Sequence, residues 1–411
     1  MAVGKLQAPR GTFDVLPHDA QRRDRLVALS SEVLEGAGYA HAETPVFEDT
    51  AVFARGVGES TDIVQKEMFT FEDKGGRSLT LRPENTAGIC RAYIEHGMHK
   101  LPQPVKLWSW GPFFRHEAPQ AGRYRQFTQL DAEALGSDDP SLDAEMIVLL
   151  AQILERSGVK ARLLLSSLGN AETRAEYGEE LRAHLRAHES ELSDDVRSRI
   201  DANPLRAFDS DHPGTRAAMA EAPRLMDRLD AEDTVHFAEV RALLEEAGCT
   251  YELDHTLVRG LDYYTRTVFE FASADLGAQS GVGGGGRYDG LMEKLGGPPT
   301  PGVGWAAGVE RILLASQATT EGSAGTRAYV VVAKADERLR AFGLVNSLRA
   351  AGVTAEMEQA GRSFKGQMKQ ADRVGATHVV IVGDSLEVKD MHTGEQREVA
   401  SLEDAVEAVG R

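Results

Sequence analysis

The stretch WSWGPFFRHEAPQAGRYRQFTQLDAEAL, residues 108–135, decides how this chain is read. Together with the residues just before it, it reads as a strand over Val105–Arg115, a turn segment over Glu117–Arg125 and a second strand over Gln126–Ala134. Side chains alternate across a strand, so Phe127, Gln129, Asp131 and Glu133 share one face. An aromatic ring, an amide and two acids make an odd core face, but they suit a polar pocket with an aromatic floor. Arginines gather beside it. Segment 113–125 carries Arg115, Arg123 and Arg125 against the single acid Glu117, a net +2. Guanidinium forks match the oxygens of carboxylates and phosphates, so this corner is a candidate anion site. The same residues also fit a solvated sheet face with surface ion pairs, which contribute little to stability.

Upstream, Leu81-Arg-Pro-Glu-Asn-Thr86 ends a strand at Pro83 and begins a helix near Thr86. Glu84, Asn85 and Thr86 either cap that helix or offer polar groups to a ligand. Downstream, Asp139 can cap a helix whose first position suits Pro140, and Gly158 ends it. Leu142, Met146, Leu149, Leu150 and Ile153 fall on one face of that helix. Strand signals return over Leu257–Ala272, where Arg259 stands beside Gly260 and ahead of Tyr263 and Tyr264. The run Gly281–Gly286 formally satisfies G-x-G-x-x-G, yet Arg287-Tyr288-Asp289 follows it rather than a Gly-Lys-Ser/Thr. A dinucleotide fingerprint should open a helix near the start of a βαβ unit. The alternative is glycine that lets backbone approach a ligand closely.

The chain has 411 residues, enough for two or three domains. Its 46 basic and 64 acidic side chains leave −18, which argues against a general basic coat for wrapping nucleic acid or binding anionic membrane. Between 171 and 250, strand signals vanish and 10 basic and 19 acidic side chains give −9, the pattern of a helical insertion. A Ser/Gly/Thr-rich linker over Gln317–Thr326 precedes a tail, 327–411, in which strands and helices alternate. That alternation predicts a small, mostly parallel sheet covered on both sides. Cys90 and Cys249 lack metal-site or disulfide-scaffold spacing. No apolar run is long enough to span a membrane, and the start lacks a signal-peptide core, so a reducing cytoplasm is the simplest expectation.

Taken together, these segments resemble a known family. Phe114-Arg115-His116-Glu117 with its loop resembles motif 2 of the class II aminoacyl-tRNA synthetases. Gly302-Val-Gly-Trp-Ala-Ala-Gly-Val-Glu-Arg311 resembles motif 3, and Thr44-Pro45 resembles motif 1. LVRGLDYY at 257–264 and GGGRYDG at 284–290 are similar to signatures of the histidyl-tRNA synthetase family in particular. The resemblance runs from residue 8 through the tail. It implies an α+β catalytic domain with a six-stranded antiparallel sheet over 1–170 and 251–318. A helical insertion at 171–250 and an α/β anticodon-binding domain at 327–411 would complete the chain.

The implied reaction joins L-histidine to ATP as histidyl-adenylate, releasing pyrophosphate, and then moves histidine to the 3′ end of tRNA(His). Mg²⁺ would travel with ATP rather than sit in a dedicated protein site, and motif 1 would form a homodimer. Arg115 and Arg259 would be catalytic at the α-phosphate, with Arg115 also holding the histidine carboxylate. Arg123 and Arg311 would take the γ-phosphate, Phe127 would stack on adenine opposite Arg311, and Glu117 would read the exocyclic amine. Glu84, Thr86 and Gln129 match the ammonium positions, Glu133 and Tyr264 the imidazole pair, and Asn85, Tyr263 and Tyr288 the rest of the histidine pocket. Two residues depart from the usual pattern. Asn85 stands where many relatives have Gly, and Ala118 where Arg is common, which bears on recognition of the tRNA end. The competing readings are a non-enzymatic regulatory subunit of ATP phosphoribosyltransferase and a class II synthetase of another specificity. The presence of LVRGLDYY, Arg115, Arg311 and the tail speaks against the first, and the 257–264 segment against the second.

Overall fold

Strands Val105–Phe114 and Gln126–Leu135 pair antiparallel along ten residues each, from Val105 opposite Leu135 to Phe114 opposite Gln126. The computed structural model describes residues 6–58, 61–257, 263–277, 280–317 and 327–410. The chain divides into two units, Met1–Ala318 and Thr319–Arg411.

In the first unit the pair extends into a sheet. Beyond Gln126–Leu135 come Gly302–Gly308, Gly281–Arg287, Thr265–Ala272 and Arg162–Ser167, every neighbour antiparallel. These six strands are the expected antiparallel sheet. Two-residue strands, Ala40–His41 and Glu252–Leu253, add to the edges, each parallel to its neighbour. The glycine run is therefore a central strand, paired on both sides, and not a phosphate-binding turn. The strand expected over Leu257–Ala272 begins only at Thr265, and residues 258–262 lie outside the described residues.

One face of the sheet is dry. Leu130, Ala132 and Ala134 join Val303, Trp305 and Ala307 against helix Pro140–Arg156, whose Leu142, Met146, Leu149, Leu150 and Ile153 are all buried there. That helix starts as its sequence dictates: the Asp139 carboxylate accepts from the Ser141 N–H at 2.8 Å and Pro140 takes the first position. The alternate residues of the same strands face away from this layer, toward the cavities described below.

Residues 171–246 carry helices and short turns and no strand among the described residues. The inserted stretch is not packed as one body. Tyr177, Leu181 and Leu185 share a core with Cys90, Tyr263, Tyr264 and Tyr288, whereas Phe237, Val240 and Leu244 of helix Ala231–Glu246 pack in the main core.

A buried ion pair locks helix Pro140–Arg156 to the sheet. Arg287 is fully buried; its Nε donates to Asp143 at 3.0 and 3.2 Å, and its other nitrogens reach the Ser137 and Asp139 carbonyls and Asp289. Removing Asp143 leaves the buried Arg287 with Asp289 as its remaining acidic partner at 3.2 Å, and breaking a buried pair typically costs about 3–5 kcal/mol. Asp143→Ala is thus expected to lose about 3 kcal/mol or more in urea unfolding, and a loss below about 1 kcal/mol would contradict the account.

The second unit holds the expected alternation. Its strands run in the order Thr354–Met357, Arg327–Val332, His378–Val382, Leu386–Asp390, Gln396–Val399; the first three are parallel and the last two form an antiparallel extension. Ala328 and Val330 pack on Leu344, Leu348 and Val409, and Tyr329 and Val331 on Ala371. Helices thus cover both sides.

Candidate active site

The polar face of the central strands opens into two adjoining cavities. The smaller, about 170 Å³, is lined by Glu84, Asn85, Thr86, Tyr263, Tyr264, Tyr288 and Gly304 among others. The larger, about 720 Å³, is lined by Glu117, Arg123, Phe127, Arg206, Glu270, Arg311 and the strand of glycines. Arg115, Gln129 and Ala306 line both, so they stand at the junction.

Glu133 is bonded to two residues that line the smaller cavity. Its carboxyl accepts from the Thr86 hydroxyl at 2.6 Å and from the Tyr288 hydroxyl. Burial pushes its pKa up to about 8 against those two hydrogen bonds, and the nearby Asp131 adds to the rise. Gly304 makes room for it. A Cβ at Gly304 would lie 1.6 Å from Glu133 Oε2, so a side chain there would force the acid out of its place. Gln129 presents a buried Oε1 that has no hydrogen-bond donor among the described residues. A buried acceptor in this state is costly unless a ligand supplies the donor.

The residues at the helix start divide between the two readings left open by sequence. Glu84 caps: its two oxygens accept from the Thr86 N–H at 2.8 Å and the Ala87 N–H at 3.0 Å, while it still lines the cavity. Asn85 also lines the cavity, but its amide is engaged elsewhere. It accepts from the Thr44 hydroxyl at 2.8 Å and donates to Ser109 at 2.6 Å. Ser109 in turn reaches Asp131 at 3.3 Å, and Arg82 donates to the Thr44 carbonyl at 2.8 Å. Burial raises Asp131 to about 8 as well, partly offset by Arg82. Asn85 and Asp131 are thus joined through Thr44, Arg82 and Ser109 into a polar layer whose links, between residues far apart in sequence, no local pattern marks.

In the larger cavity the expected cations converge. Arg115 is pinned by its Nε to the Pro83 carbonyl at 2.9 Å, and its guanidinium lies 5.4 Å from the Phe127 ring centroid. Arg123 pairs with Glu117 at 3.1 Å. Arg311 donates to the Gly281 carbonyl, and burial, then the neighbouring Arg123, lowers its pKa. Glu310, beside it, is occupied: it accepts from the Thr128 N–H at 3.0 and 3.1 Å and from Arg23 at 2.5 Å. Arg206 and Glu270 line this cavity without having been singled out. Arg206 arrives from the inserted stretch, and no local pattern marks it. Arg259 lies outside the described residues. Among the described residues no group of three or more His, Cys, Asp or Glu side chains gathers as a metal site. No helix among them is long and apolar enough to cross a membrane.

Comparisons with known proteins point to one family. A family model described as histidyl-tRNA synthetase matches residues 11–312, and one described as an anticodon binding domain matches 327–411. The histidine–tRNA ligase of Rubrobacter xylanophilus is 50% identical over 95% of this chain and 96% of its own. The crystal structure of apo S. aureus histidyl-tRNA synthetase superposes with a TM-score of 0.83 at 37% identity, covering 99% of this chain and 100% of that one. A Bacillus halodurans protein titled as an ATP phosphoribosyltransferase regulatory subunit/histidyl-tRNA synthetase shares the fold, with a TM-score of 0.68 at 22% identity over 92% of this chain and 99% of its own.

Proposed function

The chain belongs to the histidyl-tRNA synthetase family, and on that premise we propose how its residues divide the work of charging tRNA with histidine. The reading rests above all on one observation: a small polar cavity, with Thr86 and Tyr288 bonded to Glu133, adjoins through Arg115 and Gln129 a larger one lined by arginines. An amino acid fits the first and a nucleoside triphosphate the second, with the reacting groups meeting at the junction.

The histidine carboxylate attacks the α-phosphorus of ATP in line. A new P–O bond forms, the bond to the bridging oxygen breaks, and pyrophosphate leaves. The terminal hydroxyl of tRNA(His) then takes the histidyl group and AMP departs. Neither step needs a covalent enzyme intermediate, so catalysis comes from alignment and fixed charge. Arg115 holds the histidine carboxylate and the α-phosphate. Arg123 and Arg311 take the γ-phosphate, Phe127 and Arg311 sandwich adenine, and Glu117 reads its exocyclic amine. Gln129 Oε1 accepts from the ammonium, helped by the nearby Glu84 and Thr86. Glu133 and Tyr264 take the imidazole nitrogens, with Tyr263 and Tyr288 as walls and Asn85 below. Arg259 stands by the α-phosphate as a second fixed cation. When bound, Mg²⁺ rides on the ATP phosphates and neutralises part of their charge.

The catalytic domain spans 1–170 and 251–318, the insertion 171–250, and 327–411 binds the anticodon. The protein works as a cytoplasmic homodimer joined through motif 1 around Thr44-Pro45. ATP–pyrophosphate exchange across the twenty amino acids, followed by tRNA charging, tests the reading. Exchange with histidine alone supports it, exchange with another amino acid means another specificity, and none at all favours a regulatory subunit. Within this scheme Arg259→Ala is expected to lose adenylate formation by about a hundredfold or more while histidine binding largely survives. Exchange equal to the parent protein would remove Arg259 from the mechanism.

A further inference from the structure

Among the described residues, Arg266 is the only one other than glycine with a positive φ, at +46°. This left-handed conformation is disfavoured for a residue with a Cβ and persists where the surroundings impose it. It sits at a bulge. Val268 pairs with Gly286, but the next partner of Arg287 is Thr265, so Arg266 and Thr267 are looped out of that register. Bulges beside active sites re-aim neighbouring side chains, and the neighbours here are Tyr263 and Tyr264, both buried against the smaller cavity.

The clamp that imposes the bulge comes from the inserted stretch. Arg266 Nε donates to Asp233 at 2.8 Å, and its terminal nitrogen pairs with Glu232. The Asp233 side chain is fully buried, and its other oxygen accepts from the Asn170 N–H at 2.7 Å. Asn170 caps helix Ala171–Ala187 and also donates to Asp230 at 2.7 Å. The backbone of Arg266 exchanges hydrogen bonds with Leu168 and Gly169 at 2.7 and 2.8 Å. Arg174, one turn into the first inserted helix, donates to the Tyr264 carbonyl. The start of the inserted stretch and the start of its last helix thus meet on one bulge, next to the tyrosine pair.

We propose that Arg266 is a positioning residue, through which the first and last helices of the inserted stretch hold Tyr263 and Tyr264 in their histidine-binding arrangement. It touches neither substrate; it acts through the bulge. The proposal rests on the reading of the smaller cavity as the histidine site, and parent-protein exchange with histidine tests that reading separately.

Arg266→Gly keeps the backbone conformation accessible while removing the clamp, and Asp233→Asn weakens the clamp from the other side. For both variants the KM for histidine in pyrophosphate exchange should rise, about tenfold for Arg266→Gly, while the KM for ATP stays within about twofold of the parent. The double variant should be little worse than Arg266→Gly alone, because both changes break one interaction. Arg266→Lys, which keeps the cation, should recover part of the histidine KM. An unchanged histidine KM in Arg266→Gly, or equal rises for both substrates, overturns the proposal, as does full additivity of the two changes.

Discussion

Arg115→Ala is expected to lower histidine-dependent ATP–pyrophosphate exchange by about a thousandfold, with little change in thermal stability. The residue lines both cavities at their junction, which the proposed function assigns to the attacking carboxylate and the α-phosphate. It is fixed there. Its N–H bonds the Arg125 carbonyl at 3.0 Å, its Nε bonds the Pro83 carbonyl at 2.9 Å, and its guanidinium lies by Phe127. A cation already in place needs no reorganisation as charge develops on the phosphorus, which is the source of the large effect. Arg115→Lys keeps the charge but loses the planar fork, and should recover only part of the rate. Exchange by Arg115→Ala within about tenfold of the parent would exclude Arg115 from the chemical step.

Glu133→Gln carries the second large effect, and it has two readouts. The amide cannot ionise, and it turns one accepting oxygen into a donor that faces Thr86 or Tyr288. A pocket with a mismatched polar reader discriminates strongly, so kcat/KM for histidine should fall by about a hundredfold while the KM for ATP holds. The pH dependence of stability supplies the other test. Burial raises Glu133 to about 8, above its ordinary value of 4.5, so the folded protein favours the protonated acid. The resulting stabilisation is present in full below about pH 4.5 and is lost as pH rises through about 8. Asp131, also raised to about 8, acts in the same direction. Urea unfolding of the ligand-free parent between pH 5 and pH 8.5 should therefore show stability falling with pH, and Glu133→Gln should remove part of that slope. A slope unchanged by the substitution would mean that Glu133 is already ionised at pH 5.

Acid in a pocket meant for an amino acid also has a functional sense. A ligand that brings an imidazole N–H gives the Glu133 carboxylate a third donor, and hydrogen bonds to the charged form favour it. On the proposed reading, histidine binding is expected to release a proton from Glu133, which proton uptake or release measured on titration with histidine checks. The same cavity offers Gln129 Oε1 to an ammonium group.

Several features were legible in the chain alone because they are local. A period of two put Gln129 and Glu133 on the face opposite Leu130, Ala132 and Ala134, and the folded sheet keeps that division. Asp139-Pro140 marked a helix start that forms as read. The convergence of Arg115, Arg123 and Arg311 was legible only through the order of motifs, since nothing local brings residue 311 to residue 115. Other assignments needed the neighbours. Glu84 serves as a helix cap and a cavity wall together, and the choice left open by sequence was a false alternative. Asn85 turns its amide toward Thr44 and Ser109, residues that lie on other elements. Gly281–Gly286 matched a nucleotide fingerprint in letters but forms a strand, because pairing on both sides fixes its conformation.

What the sequence determined by itself was the periodicity of its strands and helices, their caps, the separate tail and the residue types at the site. These follow from the chain's own geometry over a few residues. What only the tertiary structure decided was which of those groups are buried together. The raised acid at Glu133, the space that Gly304 leaves for it, and the left-handed Arg266 held by Asp233 each depend on segments about thirty residues apart or more. Desolvation and close packing are properties of the assembled interior, and no stretch of sequence carries them alone.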